Sequence, residues 1–354
     1  MKTLKNEIAR FTGKDLALPK GSLILVTGAS GYIGSHVVNE ALEAGYRVRG
    51  TARSQEKCES TKKTCNNNPN YSTAIVANFQ VESAFDEAMK CCDAVIHVAS
   101  DMTFGADPNK VVTPVVAGTK SILRSATKHS SVKRFVLTSS SCAVLLPKLN
   151  TPLTVGKEDW NQEAIDRAWE PPPYTLERAS SVYAASKTEG EKALWQFVEE
   201  EKPHFVVNAI LPNVNMGRIL SSPGVTGAAV LQVLKGEIPS NIGPRKLEPS
   251  LCQYMIDVID AARLHVIAAA LDRSLKNDRT FAFNAAFNWT DVIKAIKEVR
   301  PEATTVATPP QDEPRDLSKV PNEQGAKLLK EWYDQETGYK PLVQTVKENL
   351  EGWT

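Results

Sequence analysis

The sequence lacks an excess of either charge, because 42 Lys and Arg residues nearly balance 41 Asp and Glu residues and leave a formal net charge of +1. Such a chain has no long-range attraction to nucleic acid or to an anionic membrane surface. We therefore expect no nucleic-acid partner and no membrane partner. Any anionic ligand has to be bound by a local cluster of groups.

Cysteine is scarce and long apolar runs are missing. The 354 residues include 6 cysteines and no CxxC pair, which favours reduced thiols over a disulfide framework or a zinc site. No run approaches the ~20 apolar residues of a membrane span. Residues 1–20 also lack the apolar core of a signal peptide. We expect a cytoplasmic protein with no metal site.

What the sequence does contain is an alternation of strands and helices. Short apolar runs typical of buried parallel strands occur at residues 22–26, 47–52, 73–77, 94–99, 134–138 and 205–211. Helical patterns separate several of them, at residues 32–44, 108–128 and 180–201. Strands that alternate with helices of this length indicate βαβ units. The pattern predicts an α/β fold, a Rossmann-type doubly wound parallel sheet with a smaller C-terminal substrate-binding lobe.

The alternating pattern weakens after Pro212, which suggests a domain boundary. A prior of roughly 150 residues per domain is consistent with two domains. We predict an N-terminal extension at residues 1–20, a nucleotide-binding domain at residues 21–212 and the lobe at residues 213–354. A helical pattern at residues 257–271 is expected to pack back on the nucleotide-binding domain.

Glycines at 28, 31 and 34 join the first predicted strand to the first predicted helix. The first permits a tight turn, the second lets a pyrophosphate approach the backbone, and the third allows close packing of helix on sheet. The free N–H groups at the helix N-terminus would bind the phosphates. The residues that we expect to contact a dinucleotide in this turn are Gly28, Ser30, Gly31, Tyr32, Ile33 and Gly34.

The end of the second predicted strand should select the cofactor. A site that prefers NAD places Asp or Glu there for the ribose 2′-hydroxyl, whereas this chain has Arg53 with Lys57 four residues later. A guanidinium can bind a 2′-phosphate through two hydrogen bonds, and an ammonium adds a point charge. The sequence therefore predicts NADP(H). The alternative is that Arg53 stacks on the adenine or faces solvent.

Tyr183 and Lys187 lie four residues apart in a predicted helix and so share one of its faces. A nearby ammonium lowers the pKa of a phenol from its ordinary value of about 10. The pair could then donate a proton to a carbonyl oxygen or accept one from an alcohol. A serine hydroxyl after the fifth strand could orient that oxygen, and the residues alone leave open which of Ser139, Ser140 and Ser141 does so.

Four motifs in this order, TGASGYIG, a second strand ending in Arg, TSSSCAV and YAASK, resemble those of the extended short-chain dehydrogenase/reductases. More narrowly, VRGTARSQEK, VKRFVLTSS and VYAASKTEGE are similar to the dihydroflavonol-reductase-like branch, which includes fungal NADPH-dependent aldehyde and ketone reductases. The resemblance covers roughly residues 20–350 and implies a Rossmann-type fold.

The resemblance implies roles for the catalytic residues. It makes Tyr183 the general acid and Lys187 the residue that binds the nicotinamide ribose. It makes Ser140 the catalytic serine, with Ser141 as the alternative if the register follows the epimerase branch.

The resemblance also implies cofactor contacts. Arg53 and Lys57 match the residues that bind the 2′-phosphate. Asn78 stands near the adenine, where the family usually has Asp. The remaining expected contacts follow the fourth and sixth strands, and they are Ala99, Ser100, Pro212 and Asn213.

We expect the substrate pocket between the nucleotide-binding domain and the lobe. Its expected wall residues are mostly apolar, and they are Met102, Phe104, Val144, Tyr174 and Met216. This favours a hydrophobic or aromatic carbonyl substrate. The sequence thus predicts an NADPH-dependent carbonyl reductase, as a monomer or a homodimer.

Two other functions have to be weighed. One is a nucleotide-sugar epimerase or dehydratase, or a hydroxysteroid-type dehydrogenase, of the same superfamily. An epimerase should retain NAD, and Arg53 argues against that. The other is a non-catalytic NADP-sensing regulator, and the presence of both Tyr183 and Lys187 argues against it.

Overall fold

Seven parallel strands form the central sheet of the computed structural model, which describes residues 10–239 and 253–353. The strands of the chain are β1 (Leu23–Thr27), β2 (Arg47–Ala52), β3 (Tyr71–Ile75), β4 (Ala94–His97), β5 (Arg134–Thr138), β6 (Val206–Pro212), β7 (Val214–Met216), β8 (Gln253–Asp257), β9 (Arg279–Ala282) and β10 (Ala285–Phe287). The order in the sheet is β3-β2-β1-β4-β5-β6-β9, with β1 paired in parallel to both β2 and β4. The strand order therefore reverses between β1 and β4, as in Rossmann folds, and the predicted fold class is confirmed.

Helices cover both faces of this sheet. They are α1 (Tyr32–Glu43), α2 (Gln55–Thr64), α3 (Asp86–Met89), α4 (Pro108–Lys128), α5 (Gln162–Ala168), α6 (Ala179–Glu201), α7 (Gly224–Leu234), α8 (Val258–Val266), α9 (Trp289–Val299), α10 (Glu323–Tyr333) and α11 (Leu342–Asn349). A π-helical turn, Ile267–Leu271, continues α8. Across residues 10–239 and 253–353, no helix is long and apolar enough to cross a membrane.

Strand β1 shows why the parallel strands are continuous apolar runs. Ile24 and Val26 pack in one core with residues of α1, α8 and α10. Leu23 and Leu25 pack in a second core with residues of α3, α4 and α6. Successive side chains of a strand point to opposite faces, so a strand covered on both faces needs apolar residues at every position.

A second, three-stranded sheet has the order β10-β8-β7. It contributes Met216 and Phe287 to a separate core with α7, α9 and α11. The chain returns to the central sheet at β9, between β8 and β10, and α8 packs in the core beside α1. Residues after Pro212 therefore contribute both to the core around α1 and α8 and to the separate core of the three-stranded sheet. Residues 240–252 of the predicted lobe and residues 1–9 of the predicted extension lie outside the described residues.

The described part of the predicted extension packs on the central domain. The N–H groups of Ala17 and Leu18 donate hydrogen bonds to the carbonyls of Leu271 and Ala270, at 3.1 and 3.0 Å. Phe11 is buried in the core that contains α1, α8 and α10. This segment thus joins the end of α8 to the sheet.

Some element boundaries differ from the predicted ones. The third strand was predicted at residues 73–77, but β3 spans Tyr71–Ile75. The fourth strand was predicted to reach residue 99, but β4 ends at His97. Helix α2 was not predicted, since its polar sequence lacks an apolar stripe. It begins where the Ser54 side chain accepts a hydrogen bond from the N–H of Lys57, which satisfies a free donor of the first turn.

Candidate active site

The glycine turn between β1 and α1 leaves no room for side chains. Gly28 has a φ of +65°, and a Cβ there would lie 3.0 Å from the backbone of Ala99. A Cβ on Gly34 would lie 2.1 Å from the Gly28 carbonyl oxygen. Among the described side chains, none caps α1 at Gly31, and its first turn holds no acid. The positive end of α1 is therefore free to bind an anion.

Thr27 connects this turn to the end of β4. Its hydroxyl oxygen accepts hydrogen bonds from the N–H groups of Val98 and Ala99, both at 3.1 Å, and lies 2.8 Å from Nδ1 of His97. Burial, with a smaller contribution from Lys187, lowers the pKa of His97 to about 3, so the ring is neutral. The Thr27 proton then has His97 Nδ1 as its acceptor, which fixes the turn at Ala99 beside the glycines.

The two cations predicted to bind a 2′-phosphate lie at the carboxyl end of β2. Arg53 follows the strand and Lys57 lies in the first turn of α2, and both side chains are exposed. Neither forms an ion pair with any described residue. Asn78 is also exposed, and its side-chain oxygen accepts a hydrogen bond from the N–H of Gln80 at 3.0 Å.

Helix α6 carries the predicted catalytic pair. The side chain of Tyr183 is half-buried, and that of Lys187 is only 8% exposed. The Lys187 Nζ lies 6.0 Å from the centroid of the Tyr183 ring. Buried Ser140 lies just after β5, where its hydroxyl accepts a hydrogen bond from the N–H of Cys142 at 3.2 Å. The structure thus brings Ser140, Tyr183 and Lys187 together at the carboxyl edge of the sheet.

Burial controls the protonation of this pair. It raises the pKa of the Tyr183 hydroxyl, the nearby Cys142 thiol raises it further, and hydrogen bonding to Ser140 lowers it. The pKa of Tyr183 is therefore raised, whereas the sequence predicted that Lys187 would lower it. Burial also lowers the pKa of Lys187 to about 8, against the influence of Cys142 and Glu191. At neutral pH Tyr183 holds its proton and Lys187 is charged.

The three serines after β5 have different surroundings. Ser139 donates a 2.6 Å hydrogen bond to a carboxylate oxygen of Glu191, while Ser141 begins a single 3₁₀ turn, Ser141–Ala143. Ser140 is the serine whose hydrogen bonding to Tyr183 lowers the pKa of the tyrosine hydroxyl. These contacts favour Ser140 over Ser141, although its role stays a prediction.

The expected substrate residues fall into two groups. The ring of Phe104 lies 5.0 Å from that of Tyr183, and Phe104 has a φ of +52°. Met102 is 52% exposed in the same loop. Val144 and Met216 are instead buried in two different hydrophobic cores.

Tyr174 lies in the loop that precedes α6. Its hydroxyl accepts a hydrogen bond from the Asn109 side chain at 3.3 Å. This contact joins the loop to the first turn of α4. On the other side of the site, Pro212 ends β6, and Asn213 is buried and hydrogen-bonded to the Ala282 carbonyl.

Two features near the site were not predicted. The Tyr32 hydroxyl donates a 2.8 Å hydrogen bond to the carbonyl of Gly217, so the glycine turn contacts the segment after β7. Glu191 and Arg279 form a buried ion pair at 2.7 Å. The only sequence signal for Glu191 was its position four residues after Lys187.

A dinucleotide-binding fold with a tyrosine and a lysine on one helix face is typical of dehydrogenases and reductases that use NAD or NADP. The chain belongs to the NAD dependent epimerase/dehydratase family, whose profile matches residues 24–285. This confirms the predicted superfamily.

Individual relatives are similar over nearly the whole chain. Aldehyde reductase 2 of Sporidiobolus salmonicolor is 37% identical over 337 residues, which are 92% of this chain and 96% of that protein. The NAD-dependent epimerase/dehydratase terH of Aspergillus terreus is 38% identical over 323 residues, 89% of this chain and 92% of that protein. The crystal structure of the yeast methylglyoxal/isovaleraldehyde reductase Gre2 complexed with NADPH has a TM-score of 0.77 and 27% identity, covering 93% of this chain and 97% of that one.

Proposed function

We propose that the protein is an NADPH-dependent carbonyl reductase that converts a ketone or an aldehyde into an alcohol. The observation that carries this proposal is the meeting of Tyr183, Lys187 and Ser140 at the carboxyl edge of the sheet, the same edge at which the glycine turn follows β1. In sheets of this kind ligands bind outside the carboxyl ends of the strands. The similarity to an aldehyde reductase and to an NADPH-bound reductase supports the same reaction.

The residues of this edge fit a dinucleotide phosphate. In the described part of the chain, the N-terminus of α1 has no side-chain cap and no acid in its first turn, so its free N–H groups are available to a phosphate. Among the described residues, the buried hydroxyl of Ser100 has no hydrogen-bond partner, so a polar ligand group would satisfy it. Arg53 and Lys57 would bind the 2′-phosphate. The other residues assigned to the cofactor are Gly28, Ser30, Gly31, Tyr32, Ile33, Asn78, Ala99, Lys187, Pro212 and Asn213.

The chemistry of the side chains follows from their protonation. Bound NADPH supplies the hydride for the carbonyl carbon. Tyr183 holds a proton at neutral pH and donates it to the carbonyl oxygen. The Lys187 ammonium stabilises the phenolate that remains, and Ser140 donates a hydrogen bond that orients the oxygen. Lys187 is almost fully buried, which strengthens its interaction with the phenolate.

The entrance to the site favours apolar carbonyl compounds. Phe104 packs against Tyr183, and Met102, in the same loop before α4, is 52% exposed. Apolar side chains of this kind in a concave site typically bury the hydrophobic part of a ligand. We therefore assign hydrophobic or aromatic ketones and aldehydes as substrates rather than nucleotide sugars.

The test is NADPH consumption with a panel of ketones and aldehydes. Wild type should oxidise NADPH with apolar members of the panel, while Tyr183→Phe should be slower by about 10²- to 10⁴-fold, the usual contribution of a general acid. NADPH affinity, measured by fluorescence, should be unchanged in the variant. Absence of turnover across the panel, or full activity of Tyr183→Phe, would contradict the proposal. Activity with UDP-sugars and bound NAD would favour the epimerase alternative.

A further inference from the structure

Glu191 is a fully buried carboxylate that no step of the proposed reaction uses. It lies one turn beyond Lys187 on α6 and is 0% exposed. Its oxygens accept hydrogen bonds from the Ser139 hydroxyl at 2.6 Å, from the Arg279 Nε at 2.7 Å and from the Trp195 indole at 3.1 Å. A buried charge needs partners of this kind, because an unpaired one is costly.

Arg279, the counter-ion of Glu191, extends the network to a loop. Besides the ion pair, its guanidinium donates hydrogen bonds to the carbonyls of Lys157 and Asp159. It also lies 3.8 Å from the centroid of the Trp160 ring. Glu191 and Arg279 therefore fix residues 157–160 against the last strand of the central sheet.

The residue that follows this loop contacts the turn after Ser140. The Asn161 side-chain amide donates a 2.9 Å hydrogen bond to the Cys142 carbonyl, and its backbone N–H donates one of 3.0 Å to the Ala143 carbonyl. The residue before Ser140 is bonded to Glu191, as described above. The backbone of Ser140 is thus fixed on both sides by one connected network.

We propose that Glu191 is a positioning residue that sets the place of Ser140 relative to Tyr183 and Lys187. Residues 183, 187 and 191 are spaced by four and share one face of a rigid helix. The same helix therefore carries the proton donor, the ammonium and the group that fixes the serine. A displacement of about 1 Å between reacting groups can cost up to about 10²-fold in rate. This inference rests on the proposed reductase function.

Ser139→Ala tests the geometric part and leaves the ion pair intact. We expect kcat to fall about tenfold, with the KM for NADPH unchanged within about twofold. Ser139→Thr, which keeps a hydroxyl, should restore most of the rate. The matched control is Ser125→Ala. Ser125 lies in α4 away from the site, is also buried, and donates a 2.6 Å hydrogen bond to the carboxylate of Asp86 in α3. This substitution should lower the Tm by a similar amount and leave kcat unchanged.

Glu191→Gln tests the charge, since the amide oxygen can still accept the Ser139 hydrogen bond. Glu191 raises the pKa of Lys187, so the alkaline limb of the kcat profile should move to lower pH in this variant and stay in place in Ser139→Ala. If Glu191→Gln does not fold, Ser139→Ala alone decides. An active wild type with unchanged kcat in Ser139→Ala would overturn this inference only. A wild type that consumes no NADPH would overturn the proposed function as well.

Discussion

Two cationic regions serve the proposed cofactor site, and they differ in burial. Lys187 is almost fully buried, and burial lowers its pKa to about 8 despite the opposing influence of Cys142 and Glu191. Arg53 and Lys57 are exposed at the end of β2 and form no ion pair with the rest of the described chain. The protein therefore sets the charge state of Lys187, whereas the two exposed cations interact through solvent and respond to salt.

The buried region should show the larger effect on substitution. Lys187→Met removes the charge while it keeps much of the apolar stem, so the phenolate of Tyr183 loses its stabilising neighbour. We expect kcat to fall by about 10²- to 10³-fold. Steady-state kinetics with a saturating apolar ketone measure this. The control is Lys63→Ala. Lys63 is an exposed lysine in the last turn of α2, at the opposite end of that helix from Lys57, and this variant should be fully active.

The pH dependence should also distinguish the two regions. Because the pKa of Lys187 is lowered to about 8, the ammonium is complete below that pH and is lost as the pH rises through it. We expect kcat at pH 9 to be about a tenth of its value at pH 7, since about one molecule in eleven remains protonated there. Tyr183, whose pKa is raised, keeps its proton throughout this interval. An alkaline limb near pH 10 would show that Lys187 is solvated, like Arg53 and Lys57.

Arg53→Ala should act on cofactor choice and leave the chemical step intact. Loss of the guanidinium removes charge-assisted hydrogen bonds to the 2′-phosphate, and we expect the KM for NADPH to rise about fivefold because the site is exposed. The KM for NADH should change little. Equal changes for both cofactors would show that Arg53 stacks on the adenine or faces solvent.

The parts of the fold that depend on local pattern were predicted from the sequence. Three features depend only on residues that are close together in the sequence, and all of them are present in the structure. They are the continuous apolar strands, the glycine turn, and the spacing of Tyr183 and Lys187. The end of β4 was placed two residues too late. The Thr27 hydroxyl accepts hydrogen bonds from the N–H groups of Val98 and Ala99, which lie 71 and 72 residues away in the sequence. Local propensity does not contain such a contact.

Charge states and long-range pairs could not be predicted from the sequence, because they too depend on residues that are distant along the chain. Glu191 and Arg279 are 88 residues apart, and neither has a local pattern that identifies the other. The direction of the pKa change at Tyr183 depends on how deeply the fold buries it. The spacing along the chain gave the neighbour, Lys187, but it did not give the burial that raises the pKa of Tyr183.

Salt offers the smallest and most specific test of the difference between the two regions. Exposed charges are screened over a Debye length of about 10 Å at 0.1 M salt, while buried charges are screened much less. The KM for NADPH should therefore rise about twofold to threefold between roughly 0.05 and 0.5 M salt, with kcat constant. Arg53→Ala should reduce this rise, because one of the screened contacts is already absent. A salt-dependent kcat would instead place solvent around Lys187 and remove the distinction between the regions.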